Sequence, residues 1–262
     1  MNDAQPSIEV LLPGYTMDTD QGTGGFCAVI LIEGVDGSGA HRRLLVDPAH
    51  VGRRAPLAQA LAGRGLGPAD IDGVVLTHAH WDHMQNVDVF GHATLMLHPD
   101  ERAYSQHPHP NDFATPAWTG AIIERRPIVE VTGGDQLLEG VHIVDLPGHS
   151  AGSIGVSVTN SDGVSVVAGD ALLHARVALS RRTPLVMWDT ELARQSIGHV
   201  LDLADVIYPG HDRIFRITRS GTVQYLEPFN LTFKNIAQDR EHIAWDMSDP
   251  GQEVMPGIEG QL

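Results

Sequence analysis

The chain has 262 residues, 42% of them hydrophobic and 19% charged, and 17 lysines and arginines against 33 aspartates and glutamates set a formal charge of −16 at pH 7. This is the composition of a folded protein with chain enough for a substantial core, which excludes a disordered segment. The negative charge repels phosphate backbones and disfavours nucleic acid as a partner, and the single cysteine, Cys27, excludes an internal disulfide and a cysteine-built zinc cluster.

The first residues, MNDAQPS, carry no basic cluster ahead of an apolar stretch, so no secretory signal is read there. The longest apolar run, 26–32, is far shorter than the ~20 residues that span a bilayer. No membrane association is expected, and a cytoplasmic location follows. Short apolar runs punctuated by 28 glycines and 16 prolines predict many strands joined by turns. These runs are 8–12, 26–32, 43–46, 73–76, 93–97, 128–131, 142–145, 153–158, 164–167 and 205–208. Helical periodicity over 55–62 places Leu57, Ala58, Leu61 and Ala62 on one face. A second helix over 190–203 gathers Ala193, Ile197, Val200, Leu201 and Ala204, with Asp189 or Thr190 as its N-cap. The mixed order predicts an α/β or α+β class. Residues 104–127 hold four prolines and no periodicity, which reads as a long functional loop. A soft midpoint near 147–152 divides two strand-rich halves, and no linker separates independent domains. One domain over 1–262 is expected, with an ill-defined tail from about 213 and a helical pattern at 236–245. The pairs Arg42–Arg43, Arg53–Arg54, Arg125–Arg126 and Arg181–Arg182 read as solvated surface.

The unusual count is histidine, 15 in one chain. Thr77-His78-Ala79-His80-Trp81-Asp82-His83 directly follows the apolar run 73–76. While the chain stays extended, alternation by two puts His78, His80 and Asp82 on one side. His83 joins them as the chain turns into a helix near Met84. Neutral imidazoles and a carboxylate are ligands for first-row metals. Three more ligand types stand in similar settings: His149 after the run 142–145, Asp170 after 164–167, and His211 after 205–208. Each sits at the end of an apolar run beside a glycine that permits a sharp turn, and groups at strand ends on one edge can converge on one cleft.

With H-x-H-x-D-H, G-H-S, G-D and P-G-H in this order, and a strand ending Leu45-Val46-Asp47, the chain resembles the metallo-β-lactamase-fold hydrolases from about residue 25 to residue 211. The resemblance implies an α+β fold, a four-layer αββα sandwich with the metal cleft at one edge. It implies that His78, His80 and His149 hold one divalent metal, that Asp82, His83 and His211 hold a second, and that Asp170 bridges them. Asp47 would lie beneath the cleft and orient ligands. Zinc is the first choice, with manganese or iron as alternatives, since all three accept these ligands. Two such metals about 3.5–4 Å apart can share a hydroxide that attacks a carbonyl, and Asp82 is placed to pass a proton to the leaving group. Asp82 and Asp170 are the catalytic candidates.

An aspartate at 170 and no cysteine ligand separate the chain from true β-lactamases of this fold. The frame looks most like lactonases that open acyl-homoserine lactones, and Asn86 matches their usual G-N position with Gln85 in place of the glycine. A glyoxalase-II-like thioesterase is the next reading, followed by a phosphodiesterase or ribonuclease and a mononuclear iron persulfide dioxygenase. The rival outside catalysis is a metal-stabilised binding protein. The expected partner is a small-molecule substrate, with the assembly left open between monomer and homodimer. Phe113 and Trp118 are candidates for apolar walls of the cleft, and His174 and Arg176 for contacts with the substrate.

Overall fold

The computed structural model describes residues 5–232. The chain runs through β1 (Ser7–Leu12), β2 (Tyr15–Thr19), β3 (Gly22–Phe26), β4 (Val29–Val35), β5 (His41–Val46), α1 (Arg54–Ala62), β6 (Gly73–Val75), α2 (Trp81–Met84), β7 (Thr94–Leu97), α3 (Pro99–Gln106), α4 (Thr119–Ile123) and β8 (Ile128–Glu130). It continues through β9 (Gln136–Leu138), β10 (Val141–Asp145), β11 (Ile154–Asn160), β12 (Gly163–Gly169), α5 (Ala175–Ser180), α6 (Thr190–Leu203), β13 (Val206–Pro209), β14 (Phe215–Ile217) and β15 (Val223–Tyr225). The strands form a six-stranded sheet ordered β1-β4-β5-β6-β7-β8, a seven-stranded sheet ordered β15-β14-β13-β12-β11-β10-β9, and the separate β2-β3 hairpin.

Period-two alternation explains the layers. Along β4, Val29 and Leu31 point to one core, whereas Ile30 and Ile32 point to another. The first core holds Leu57 and Leu61 of α1, Met84 of α2 and Ile123 of α4, so helices cover the outer face of the first sheet. The second core joins Ile30, Val46 and Val75 to Ile143, Val156 and Val167, so the two sheets face each other. The third joins Val144, Val166 and Ile207 to Val177 of α5 and to Ile197 and Val200 of α6. Helix, sheet, sheet and helix thus stack as a four-layer αββα sandwich. Each fully buried aliphatic side chain contributes roughly 1.5–3 kcal/mol. No helix among the described residues is long and apolar enough to cross a membrane.

Connections follow the strand directions. β5, β6, β7 and β8 are parallel, and helices carry the chain back between them. β12 and β13 are also parallel, joined through α5 and α6. The bounds of α6 match the predicted 190–203, because an apolar face of Ala193, Ile197 and Val200 follows a true cap in which the Asp189 carboxylate accepts from Leu192 N.

Several expectations are corrected. The run 26–32 is broken at Cys27 and Ala28, where Ala28 N donates to Gly210 O at 2.7 Å and the chain passes from the hairpin to β4. The β2-β3 hairpin lacks an apolar alternation, so nothing local announced it. In α1, Leu57 and Leu61 are buried but Ala58 and Ala62 are exposed, because one i, i+4 ridge suffices against the sheet. The chain changes sheets between β8 and β9, at 131–135, rather than near 147–152. Segment 104–127 is not all loop, since it holds the end of α3 and all of α4. Arg53 is not solvated: it is buried and donates to Cys27 O and Pro13 O at the foot of the hairpin. After Asp212, β14 and β15 extend the second sheet, while 236–245 lies outside the described residues.

Candidate metal centre

The ends of β5, β6, β10, β12 and β13 all reach one edge of the sandwich. After β6, residues 77–80 stay non-helical and α2 then starts at Trp81. That turn directs His78, His80, Asp82 and His83 inward, each at most 6% exposed. His149 follows β10, Asp170 follows β12 and His211 follows β13, all of them also buried. Glycines permit the close approach. A Cβ on Gly210 would stand 2.0 Å from Asp170 Oδ1, and one on Gly25 of the hairpin 2.4 Å from Asp82 Oδ2.

The side chains fall into two groups, His78, His80, His149 and Asp170 in one, and Asp82, His83 and His211 in the other. In the first, His149 Nε2 lies 3.0 Å from His80 Nδ1 and 3.5 Å from Asp170 Oδ2, and His78 Nε2 lies 3.9 Å from the same oxygen. In the second, His211 Nε2 lies 3.3 Å from both His83 Nε2 and Asp82 Oδ2, and His83 Nε2 is 3.6 Å from Asp82 Oδ2. Asp170 turns its other oxygen, Oδ1, to this second group, 3.4 Å from His83 Nε2 and 3.3 Å from His211 Nε2. A tetrahedral cation with bonds of about 2.0–2.2 Å sets its ligands roughly 3.3–3.6 Å apart. Most of these separations match that spacing.

The outer nitrogens decide which way the lone pairs face. His83 Nδ1 donates to Asp47 Oδ2 at 2.8 Å, and His149 Nδ1 donates to Leu185 O at 2.9 Å. His78 Nδ1 lies 2.9 Å from Thr77 Oγ1, whose own hydroxyl donates to Asp47 Oδ2 at 2.7 Å. His211 Nδ1 faces Tyr15 O at 3.4 Å. His80 is reversed: its Nε2 points outward, 3.6 Å from Asp112 Oδ2. Assigned from these partners, every imidazole presents an unprotonated nitrogen to the interior. Two ring nitrogens facing each other at 3.0 and 3.3 Å repel as lone pairs unless a proton or a cation lies between them. His78 Nε2 and Asp170 Oδ1 are buried with no hydrogen-bond partner. The donor set therefore fits two metal ions.

The protonation pattern follows burial and charge. Burial, then the neighbouring His83 and His80, holds His78 well below the usual imidazole value. Burial and His80 likewise press His149 down to about 4. Burial opposes charge on His83 too, but with no metal bound Asp170 and Asp82 outweigh it and favour a second proton on that ring, in the place a cation would otherwise take. Asp170 stays well below the carboxylate range, because His211 and His83 outweigh its burial.

Asp47 lies behind the 77–83 turn. Its backbone adopts the left-handed region at φ 53°, and its carboxylate accepts from Thr77 N, Thr77 Oγ1 and His83 Nδ1. Asn86 is buried and donates to Pro48 O and His50 O, fixing the turn that carries Asp47. His174 is half-buried ahead of α5 with Nδ1 enclosed and unbonded, and Arg176 is exposed on that helix. Neither joins the two ligand groups. Phe113 and Trp118 are exposed.

Two supporting carboxylates escaped the sequence reading. Glu101 is fully buried and accepts from Ala79 N, Gly152 N and Ser150 Oγ, so it ties the 77–80 loop to the turn bearing His149. An acid in the first turn of a polar helix reads as surface, and nothing local signals otherwise. Asp112 lies in the proline-rich segment that was flagged only as a whole.

The profile of the metallo-beta-lactamase superfamily matches residues 22–211. The chain is 33% identical to the Xenopus laevis metallo-beta-lactamase domain-containing protein 1, over 86% of this chain and 87% of that protein. It is 26% identical to the N-acyl homoserine lactonase AiiB of Agrobacterium fabrum, over 60% of this chain and 62% of that protein. Among solved structures, B. thuringiensis AiiA with N-decanoyl-L-homoserine bound superposes with a TM-score of 0.62 at 18% identity, covering 81% of this chain and 94% of that one. That likeness is one of fold.

Proposed function

The chain belongs to the metallo-β-lactamase superfamily of metal-dependent hydrolases, and on that premise we propose that it is a dinuclear hydrolase that cleaves a small ester, a lactone foremost, in the cytoplasm. The observation that carries the reading is Asp170, whose two oxygens face two separate sets of inward-pointing nitrogens. Such a span suits two cations sharing one carboxylate, not a single closed structural site. Zinc is the proposed metal. The likeness to a named homoserine lactonase supports a lactone over other esters.

When bound, two divalent cations supply Lewis acidity and make a water nucleophilic near neutral pH. The chain's own groups do the rest. Asp170 keeps the two sets side by side. Thr77 and Asp47 lock the His78 and His83 rings so that their Nε2 atoms face inward. Asp82, at 9% the most exposed of the seven side chains, would take a proton from the attacking water and pass it to the leaving alkoxide. Phe113 and Trp118 offer apolar area to the substrate, and His174 and Arg176 are the polar candidates beyond the ligand groups.

Metal analysis of the purified protein, followed by a panel of lactones, thioesters and phosphodiesters, tests this. About two metals per chain and preferred lactone turnover are expected, and Asp170→Asn lowers both turnover and second-metal occupancy. A single iron, dominant phosphodiester turnover, or an Asp170→Asn protein equal to wild type in both measures would refute the reading.

A further inference from the structure

His80 differs from the other inward-facing histidines. The other four turn Nε2 inward and Nδ1 outward, whereas His80 turns Nδ1 inward and Nε2 outward. Its Nε2 is buried with no hydrogen-bond partner, and Asp112 Oδ2 stands 3.6 Å away. That is beyond hydrogen-bond length, but a buried N–H with no acceptor is costly, and the carboxylate is placed to receive it. The Asp112 side chain is itself fully buried.

Asp112 is also the centre of the segment between α3 and α4. Its Oδ1 accepts from Ala114 N at 2.8 Å and Thr115 N at 3.0 Å, an Asx-type turn. Its Oδ2 accepts from Tyr104 Oη at 2.9 Å. Two residues on, Ala114 O accepts from Trp81 N at 2.9 Å, next to His80 itself. The exposed Phe113 and Trp118 ride on this same stretch. One carboxylate thus folds the segment with one oxygen and faces a ligand ring with the other.

We propose that Asp112 is a positioning residue that holds His80 with Nδ1 as the ligand atom, and that it thereby couples occupation of the first metal group to ordering of residues 107–118. The inference rests on the two-cation reading above. Seating the segment favours the ligating tautomer, and by reciprocity a cation on His80 favours the seated segment. A loaded centre then favours the positions of the apolar side chains offered to a substrate.

The test uses the full-length chain, stripped by chelator and titrated with Co(II), whose ligand-field spectrum reports each site. Wild type is expected to bind two. Asp112→Asn is expected to weaken one of them by about 10- to 100-fold, with an altered spectrum for that site and the other site as in wild type. Asp112→Glu, which restores a carboxylate, recovers part of the loss. Hydrogen exchange in wild type alone gives a second measure, independent of how any variant folds: the Ala114 and Thr115 amides exchange more slowly when zinc is bound. Fewer than two Co(II) in wild type overturns the two-cation reading and this inference with it. Two in wild type with unchanged affinities in Asp112→Asn, or exchange at 114 and 115 indifferent to metal, overturns this inference alone.

Discussion

Gly25→Ala separates the chemistry of this fold from its stability. Gly25 lies on β3, and its φ is not in the left-handed region, so alanine fits the backbone there. Losing a glycine from the unfolded chain stabilises a protein by about 0.4–1 kcal/mol where the backbone allows it. The added methyl, however, stands 2.4 Å from Asp82 Oδ2 and 3.0 Å from Asp82 Cγ. Ordinary contact begins near 3.4 Å, so the carboxylate must retreat by about 1 Å. Asp82 ends in a flexible side chain and can do so with little loss of folding energy. A metal site tolerates only about 0.2 Å in a ligand distance, and a misplacement of about 1 Å can lower turnover about 100-fold, or about 2.7 kcal/mol of activation free energy. The expected result is a metal-free protein as stable as wild type in chemical denaturation, weaker binding of one of two metals, and turnover down by about two orders of magnitude. Unchanged turnover and unchanged affinity for both metals would refute the assignment of Asp82 to the second group.

Gly210→Ala meets less forgiving neighbours, since its methyl would lie 2.0 Å from Asp170 Oδ1 and 3.0 Å from the Gly169 backbone. Here both stability and metal binding fall, with about 1–3 kcal/mol lost in a denaturant titration as for overpacked interiors; wild-type values in both would show that the 209–211 turn is not packed as described. Cys27 is fully buried, and that burial holds its thiol proton well above the ordinary thiol range. The native protein should therefore resist iodoacetamide at pH 8 and react once unfolded in denaturant, as read by mass spectrometry; rapid native labelling would contradict that packing.

The parts of this molecule legible in the sequence are those whose cause is local. His78, His80, Asp82 and His83 crowd six positions behind an apolar run, and α6 pairs an aspartate cap with a regular apolar face. Asp170 and His211 each sit beside a glycine at the end of a buried strand, a pattern visible without a fold. The hairpin at 15–26 had no such signature, because its place is set by tertiary contacts: Gly25 against Asp82, and Arg53 buried at its foot. Glu101 and Asp112 were illegible for the same reason. Glu101 reaches Ser150, 49 residues away, and Asp112, whose hydrogen bonds to Tyr104, Ala114 and Thr115 are local, faces His80 only through the fold, so each looks like any other surface acid in the sequence.

Both ligand groups straddle the sandwich: His78 and His80 from the first sheet meet His149 and Asp170 from the second, and Asp82 and His83 meet His211. Neither ligand group can therefore be completed by one half of the polypeptide alone. During synthesis the second group stays incomplete until His211 has left the ribosome. Ions held by both groups would rivet the two halves together at that edge of the sandwich.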